Sequence, residues 1–223
     1  MSEVLWQWPS PTRVGRVVPK TKFYEKAKIS TRVREAFVSE VERITWSHKL
    51  SPQTIRLAGT SIVPEIQVFA VDAKPGREIS GAVLDVIDAA VQTPIIFEEY
   101  GSDGVRTRAS GKVPGVKGPK LGSRFSGEWL PADTARRGLP QALDLLGLYS
   151  QLLSPLLPLE SRPGEALSET LGRIDHAQAL ARQIKVLESR MAKEKQLNRK
   201  MEIRRELRER MTEYDTVTHV AGH

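Results

Sequence analysis

The chain has 223 residues, 39% of them hydrophobic and 27% charged, with 34 Lys and Arg against 27 Asp and Glu for a formal charge of +7. That length suits one sizeable domain or a smaller domain with an appendage, and the basic excess permits an anionic partner without naming one. The lack of cysteine excludes a disulfide scaffold, a Cys-ligated zinc site, an iron–sulfur cluster and a thiol nucleophile.

Residues 1–29 read as an arm. Trp6 and Trp8 alternate with polar residues, Pro9, Pro11 and Pro19 interrupt, and Lys20, Lys22, Lys26 and Lys28 surround Phe23 and Tyr24. The aromatics would pin the arm to the domain; a basic arm touching nucleic acid is the sharper alternative. Ser30 and Thr31 offer an N-cap, and Val33, Phe37, Val41 and Ile44 follow at helical spacing, which predicts one helix ending near Leu50 before Pro52. Thr54–Ala58 and Glu65–Val71 read as strands, the second apolar on both faces and therefore central. Ile79, Val83, Val86, Ile87 and Ala90 trace a helix, and 95–100 a short apolar strand.

Residues 101–127 change character. They hold seven glycines, and from Arg106 to Arg124 the charges are all basic: Arg106, Arg108, Lys112, Lys117, Lys120 and Arg124. Apart from a strand at Val105–Ala109, this stretch reads as a long loop able to hold a phosphate backbone, with a last strand at Glu128–Leu130. The charge is segregated: ten basic and four acidic residues in 12–49, three and seven in 50–100, six and one in 101–124. Leu139–Leu159 is apolar but broken by prolines, which predicts a buried helix.

From Glu165 to Tyr214 there is no proline. Leu167, Leu171, Ile174, Leu180, Ile184, Leu187 and Met191 step in heptad fashion, which marks Leu180, Ile184, Leu187 and Met191 as a face for a partner helix. The stripe thins at Ala192–Lys200 and resumes at Met201, Ile203, Leu207 and Met211 in a shifted phase, leaving a continuous rod and a hairpin both open. Residues 193–210 carry eight basic and four acidic groups, read as a salt-laced solvent face or a nucleic-acid contact. The remaining residues, 215–223, read as a disordered tail.

Catalytic signatures are scarce. No phosphate loop, GxGxxG or GxSxG pattern occurs, and His48 and His176 have no partner at metal-binding spacing. One constellation is partial. Glu65 on the expected central strand, with Asp72 and Lys74 at its end, is reminiscent of magnesium nucleases with a restriction-endonuclease-like core. Gln67 stands where a lysine would be needed, and the elements run one strand short. No cofactor is expected otherwise. No signal peptide and no run of about 18 apolar residues is visible, so a cytoplasmic protein without a membrane segment is expected.

Five segments carry a family resemblance: Thr12–Lys20 followed by Phe23-Tyr24-Glu25; Trp46–Leu50 followed by Thr54; Glu65–Phe69; Val86–Phe97; and Glu194–Glu202. In this order the chain resembles the bacterial domain-of-unknown-function family 4391. Val91-Gln92 and the Gly-rich stretch depart from that family's pattern. The resemblance implies no catalytic residue. It implies a setting beside DNA methyltransferases and helicase-type restriction subunits in phage-defence loci.

These readings together predict an α+β (or α/β) fold: an arm at 1–29, a globular domain with a mixed sheet and flanking helices at 30–160, and a coiled-coil-like helix at 165–214. The function expected is that of a non-catalytic accessory or interaction protein. It would contact a protein partner, or a second copy, through the C-terminal helix, and DNA through the basic segments. A magnesium-dependent nuclease, degenerate or active, and a structural coiled-coil oligomer are the alternatives.

Overall fold

The computed structural model describes residues 4–26, 29–113 and 120–219. Two compact units make up the chain, residues 1–157 and 158–223.

The first unit is built on a six-stranded mixed sheet. Its elements run β1 (Trp6–Gln7), β2 (Arg13–Val17), α1 (Thr21–Lys26), α2 (Thr31–Glu40), β3 (Val41–Leu50), α3 (Pro52–Ile55), β4 (Ile66–Ala73), α4 (Gly81–Ala90), β5 (Ile95–Gly101), β6 (Gly104–Val113), β7 (Lys120–Ser126), β8 (Arg137–Gly138) and α5 (Leu145–Leu153). The strand order is β2-β3-β4-β5-β6-β7, antiparallel throughout except for the parallel pair β4/β5, which α4 connects. The arm belongs to this unit: β1 pairs with β8 and β2 with β3.

Alternation decides the two faces of the sheet. Phe69 and Val71 of β4, and Ile95 and Phe97 of β5, pack with Phe37 of α2 and with Val83, Leu84 and Ile87 of α4. Ile66, Val68 and Ile96 are buried on the other face. There α5 buries Leu148, Leu152 and Leu153, and its Tyr149 hydroxyl donates to the Ser110 carbonyl of β6 at 2.7 Å. Complete burial of Tyr149 pushes its pKa up.

Several boundaries differ from the sequence reading, each for a local reason. The expected helix from Ser30 to Leu50 stops at Glu40, and Val41–Leu50 is the strand β3. Val41 and Ile44 do face the core, but a β-bulge between Val41 and Arg43 puts two residues three apart on one face, which imitates helical spacing. Thr54–Ala58 is not a strand: Pro52 starts the short helix α3, Ser51 caps it, and only Ala58 bridges, to Asp144. Most of the expected loop at 101–127 is the hairpin β6–β7. Glu128–Leu130 contributes one bridge, Leu130 with Val105.

The second unit is a helical hairpin. Helix α6 (Leu167–Lys193) and helix α7 (Leu197–Thr218) are joined by three residues, 194–196. Of the rod and the hairpin left open for 165–214, the hairpin is the one formed, and the chain breaks where its apolar stripe thins. The Glu194 carboxylate accepts the backbone N–H groups of Lys195 and Gln196 and so starts α7. Ile184, Leu187 and Met191 of α6 pack with Ile203 and Leu207 of α7. At the root, Arg162 donates to the carbonyls of Thr216, Val217 and His219, which satisfies the C-terminal end of α7. Helix α7 runs through Thr218, so residues 215–218 of the expected tail are helical; 220–223 lie outside the described residues.

Two outcomes test this account. Gly104 turns the chain from β5 into β6 at φ +121°, and a Cβ there would lie 2.0 Å from the Leu130 carbonyl oxygen. Gly104→Ala should destabilise the protein in urea denaturation by about 3 kcal/mol or more, against about 1 kcal/mol for Gly76→Ala, whose Cβ would meet nothing. In the hairpin, the Arg173 guanidinium grips Glu165 through both carboxylate oxygens at 2.8 Å and draws its pKa from 4.5 down to about 2. A depressed carboxylate stabilises fully above its unfolded pKa, and that contribution is lost as pH falls through the folded value. Glu165→Gln should therefore lower hairpin stability at neutral pH, and its difference from wild type should vanish between about pH 4.5 and 2, followed by helical circular dichroism.

Candidate functional site

The basic residues of 106–124 do not form an open surface. On β6, residues 106, 108 and 112 face α4, and acidic side chains meet them there. Glu99 of β5, fully buried, accepts from Arg106 at 3.0 and 3.1 Å and from Arg108 at 2.9 Å. Arg106 also lies over the Trp129 ring, 4.3 Å from its centroid. Asp88, on the buried side of α4, pairs with Lys112 at 2.8 Å and accepts from the Ser110 hydroxyl. Arg124 of β7 bonds Asp85 on the outer side of α4.

These charges hold α4 at both ends. At its start, Glu99 accepts the Ile79 N–H at 3.1 Å and Glu40 of α2 accepts the Ser80 N–H at 2.8 Å. Anionic groups suit a helix N-terminus, where free N–H groups and the macrodipole favour them. At its end, Lys112 Nζ donates to the carbonyls of Asp88, Val91 and Thr93 at 2.9, 2.6 and 3.0 Å. All three ammonium protons are thus used on carbonyls at and beyond the helix end, and the Asp88 carboxylate balances the charge. Burial draws the Lys112 pKa below the ordinary lysine value, and the Asp88 carboxylate opposes that shift. The Arg108 pKa is lowered by the same burial, with Glu99 opposing.

A third buried carboxylate lies on the opposite face. Glu98 accepts from Trp8 Nε1 at 2.8 Å, from the Tyr100 hydroxyl at 2.9 Å and from Arg136 at 2.5 and 3.2 Å. Arg136 also donates to the Trp6 carbonyl at 2.8 Å, so this cluster fastens the N-terminal segment over β5. Burial, followed by the neighbouring Glu98 charge, pushes the Tyr100 pKa up to about 12. His48 stacks obliquely on Trp8, and its pKa is lowered, chiefly by burial.

Four of the six residues expected to meet nucleic acid, Arg106, Arg108, Lys112 and Arg124, are therefore engaged by carboxylates within the sheet unit. Lys120 opens β7, and Lys117 lies outside the described residues. The nuclease candidates separate along β4. Glu65 precedes the strand and is held by Lys49 and Gln67, both at 2.9 Å. Asp72 lies seven residues on, about 23 Å at strand rise, and pairs with Arg43 at 2.7 Å. Lys74 stays near Asp72, its backbone N–H on the Glu40 carbonyl. Among the described residues no three His, Asp or Glu side chains converge as a metal site. The expected partner face is covered from within the chain, with Ile184, Leu187 and Met191 against α7 and Leu180 buried.

An open basic surface lies on the hairpin. Residues 182–210 hold eleven basic and five acidic groups, and Val186, Leu197 and Met201 are 58%, 72% and 64% exposed. Few of these charges are laced together. On α7, Glu202, Glu206, Glu209 and Glu213 share one flank, while Lys200, Arg204 and Arg208 lie on another. Among the described residues, Lys193, Lys195, Lys200, Arg204 and Arg208 form no ion pair. Sequence reasoning missed Asp88, Glu98, Glu99 and Arg136. The available signal was three carboxylates set among otherwise apolar residues of α4 and β5, with a run of arginines following.

A six-stranded mixed sheet with buried carboxylates that engage its central cations, together with a helical hairpin, defines an α+β protein. The chain belongs to the family described as Domain of unknown function (DUF4391), whose model matches residues 7–213. No curated protein and no solved structure matches it. No helix among the described residues is long and apolar enough to cross a membrane.

The clamp on α4 is testable by a double-mutant cycle. Lys112→Met leaves the buried Asp88 with only Arg124, 3.7 Å away, as counter-charge and should cost about 3 kcal/mol in urea denaturation. Adding Asp88→Asn should recover part of that loss, because the orphaned charge is removed with its partner.

Proposed function

We propose that this protein is a non-catalytic accessory or interaction protein that docks on a larger protein partner through its C-terminal hairpin. The setting suggested by the family resemblance is a bacterial DNA modification, restriction or helicase-type defence system, with the protein acting in the cytoplasm. One observation carries the reading. Arg106, Arg108, Lys112, Arg124 and Arg136 of the sheet unit are engaged by carboxylates within it, whereas the distal hairpin presents unpaired Lys193, Lys195 and Lys200 beside exposed Leu197 and Met201. Exposed apolar groups rimmed by charge are the composition of a protein contact surface. In this reading any DNA contact falls to other cations, those of the hairpin among them, since Arg106, Arg108, Lys112 and Arg124 already have carboxylate partners.

Affinity purification of the tagged full-length chain from its own cells, with mass spectrometry, tests the proposal. A stoichiometric protein partner is expected, and it should be lost when Lys193, Lys195 and Lys200 are all changed to Glu. A chain that elutes alone, and is a monomer by light scattering, would overturn it. So would cleavage of DNA in Mg²⁺ that Asp72→Asn abolishes, which would favour the nuclease reading.

A further inference from the structure

Helix α7 carries a second heptad seam that its own hairpin leaves uncovered. The inner seam, Ile203, Leu207 and Tyr214, faces α6, with Ile203 and Leu207 buried. Leu197, Met201, Arg204, Arg208 and Met211 then step by four, three, four and three residues. That is the spacing of an a/d stripe, rotated roughly 100° from the inner seam. Leu197, Met201 and Met211 are 72%, 64% and 46% exposed, and Arg204 and Arg208 are exposed between them. The seam extends about 22 Å, the length of two heptads.

We propose that this seam seats an amphipathic helix of a partner protein, one that sets apolar residues against Leu197, Met201 and Met211 and carboxylates against Arg204 and Arg208. The proposal rests on the reading of the hairpin as a protein contact and names what binds it.

Charge selects this occupant over the others. In a second copy packed parallel, Arg204 meets Arg204 and Arg208 meets Arg208. Packed antiparallel about the seam's centre, Arg204 again meets Arg204 while Met201 meets Arg208. Like charges at a seam are unfavourable in either orientation. The acidic flank Glu202, Glu206, Glu209 and Glu213 of a second copy has the right charge, but it has no large apolar side chain to cover Leu197 and Met201. A nucleic-acid backbone would satisfy the arginines and leave the same apolar residues in water. An acidic amphipathic helix satisfies both sets.

The test uses the full chain and synthetic helical peptides of about three heptads, read by fluorescence anisotropy. One peptide carries Leu at the apolar contact positions and Glu at the two central ones. A second replaces those Glu with Lys, and a short DNA duplex is the third probe. The acidic peptide should bind and the basic one should not. Binding should weaken about tenfold or more in Arg204→Glu with Arg208→Glu, and also in Leu197→Asp. Circular dichroism confirms that each variant keeps its helicity, and Arg204→Ala with Arg208→Ala serves where charge reversal disturbs the fold. No binding of the acidic peptide, or equal binding of the basic one, overturns the proposal. So does DNA binding lost on arginine reversal but unchanged in Leu197→Asp, which would mark a phosphate contact, or self-association through the seam seen by light scattering. A purified protein partner indifferent to Arg204→Glu with Arg208→Glu would overturn the seam and leave the interaction-protein reading standing.

Discussion

The first unit depends on how α4 is seated. This helix connects the two parallel strands at the centre of the sheet, and buried charges hold the backbone at both of its ends: Glu99 and Glu40 on the Ile79 and Ser80 N–H groups that lead into it, Lys112 on the carbonyls of Asp88 in its last turn and of Val91 and Thr93 just beyond. Without these groups the turns flanking the helix would bury unsatisfied backbone polar atoms, which is more costly than any one pair is favourable. Buried pairs of this kind add little net stability over apolar packing, but they are severe to break singly. Their effect is to specify where α4 can sit. Glu99, Arg106 and Arg108 lie on adjacent strands in one register, and Lys112 reaches Asp88 only if β6 and α4 are aligned.

The same lattice explains where the basic excess goes. Arg106, Arg108, Lys112 and Arg124 look like a phosphate-binding stretch because their acidic partners are distant in sequence. Asp85, Asp88 and Glu99 come from the segment counted as acidic, so two opposite local charge imbalances cancel when β6 and β7 fold against α4. The cations of 182–210 differ because α7 separates its own glutamates onto another flank. Nine of the eleven form no ion pair among the described residues, and charge imbalance there persists to the surface.

Much of the fold was legible where periodicity and breakers agreed. The helix at 81–90, the strands at 66–73 and 95–101, and the apolar seam of the C-terminal helices follow from spacing alone. The reading failed where a bulge let β3 imitate a helix, and where polar, Gly-rich residues of β6–β7 imitated a loop. Both failures have one cause: a short-range pattern records which residues are apolar, while pairing across strands decides which polar residues are buried. Of the candidate sites, Ile184, Leu187 and Met191, read with Leu180 as a face for a partner helix, pack against the chain's own α7.

Sequence by itself determined the element types over most of the chain, the mixed α and β class, the absence of thiol chemistry and the thinning of the apolar stripe at 192–200, because each depends on residue identity within a few positions. Only the tertiary structure decided which charges are free. An ion pair is a matter of a few ångströms between residues such as Asp88 and Lys112, or Glu98 and Arg136, that lie tens of positions apart, and composition has no term for that distance. Tertiary contact therefore withdrew Arg106, Arg108, Lys112 and Arg124 from the basic surface and left the cations at the far end of the hairpin on it.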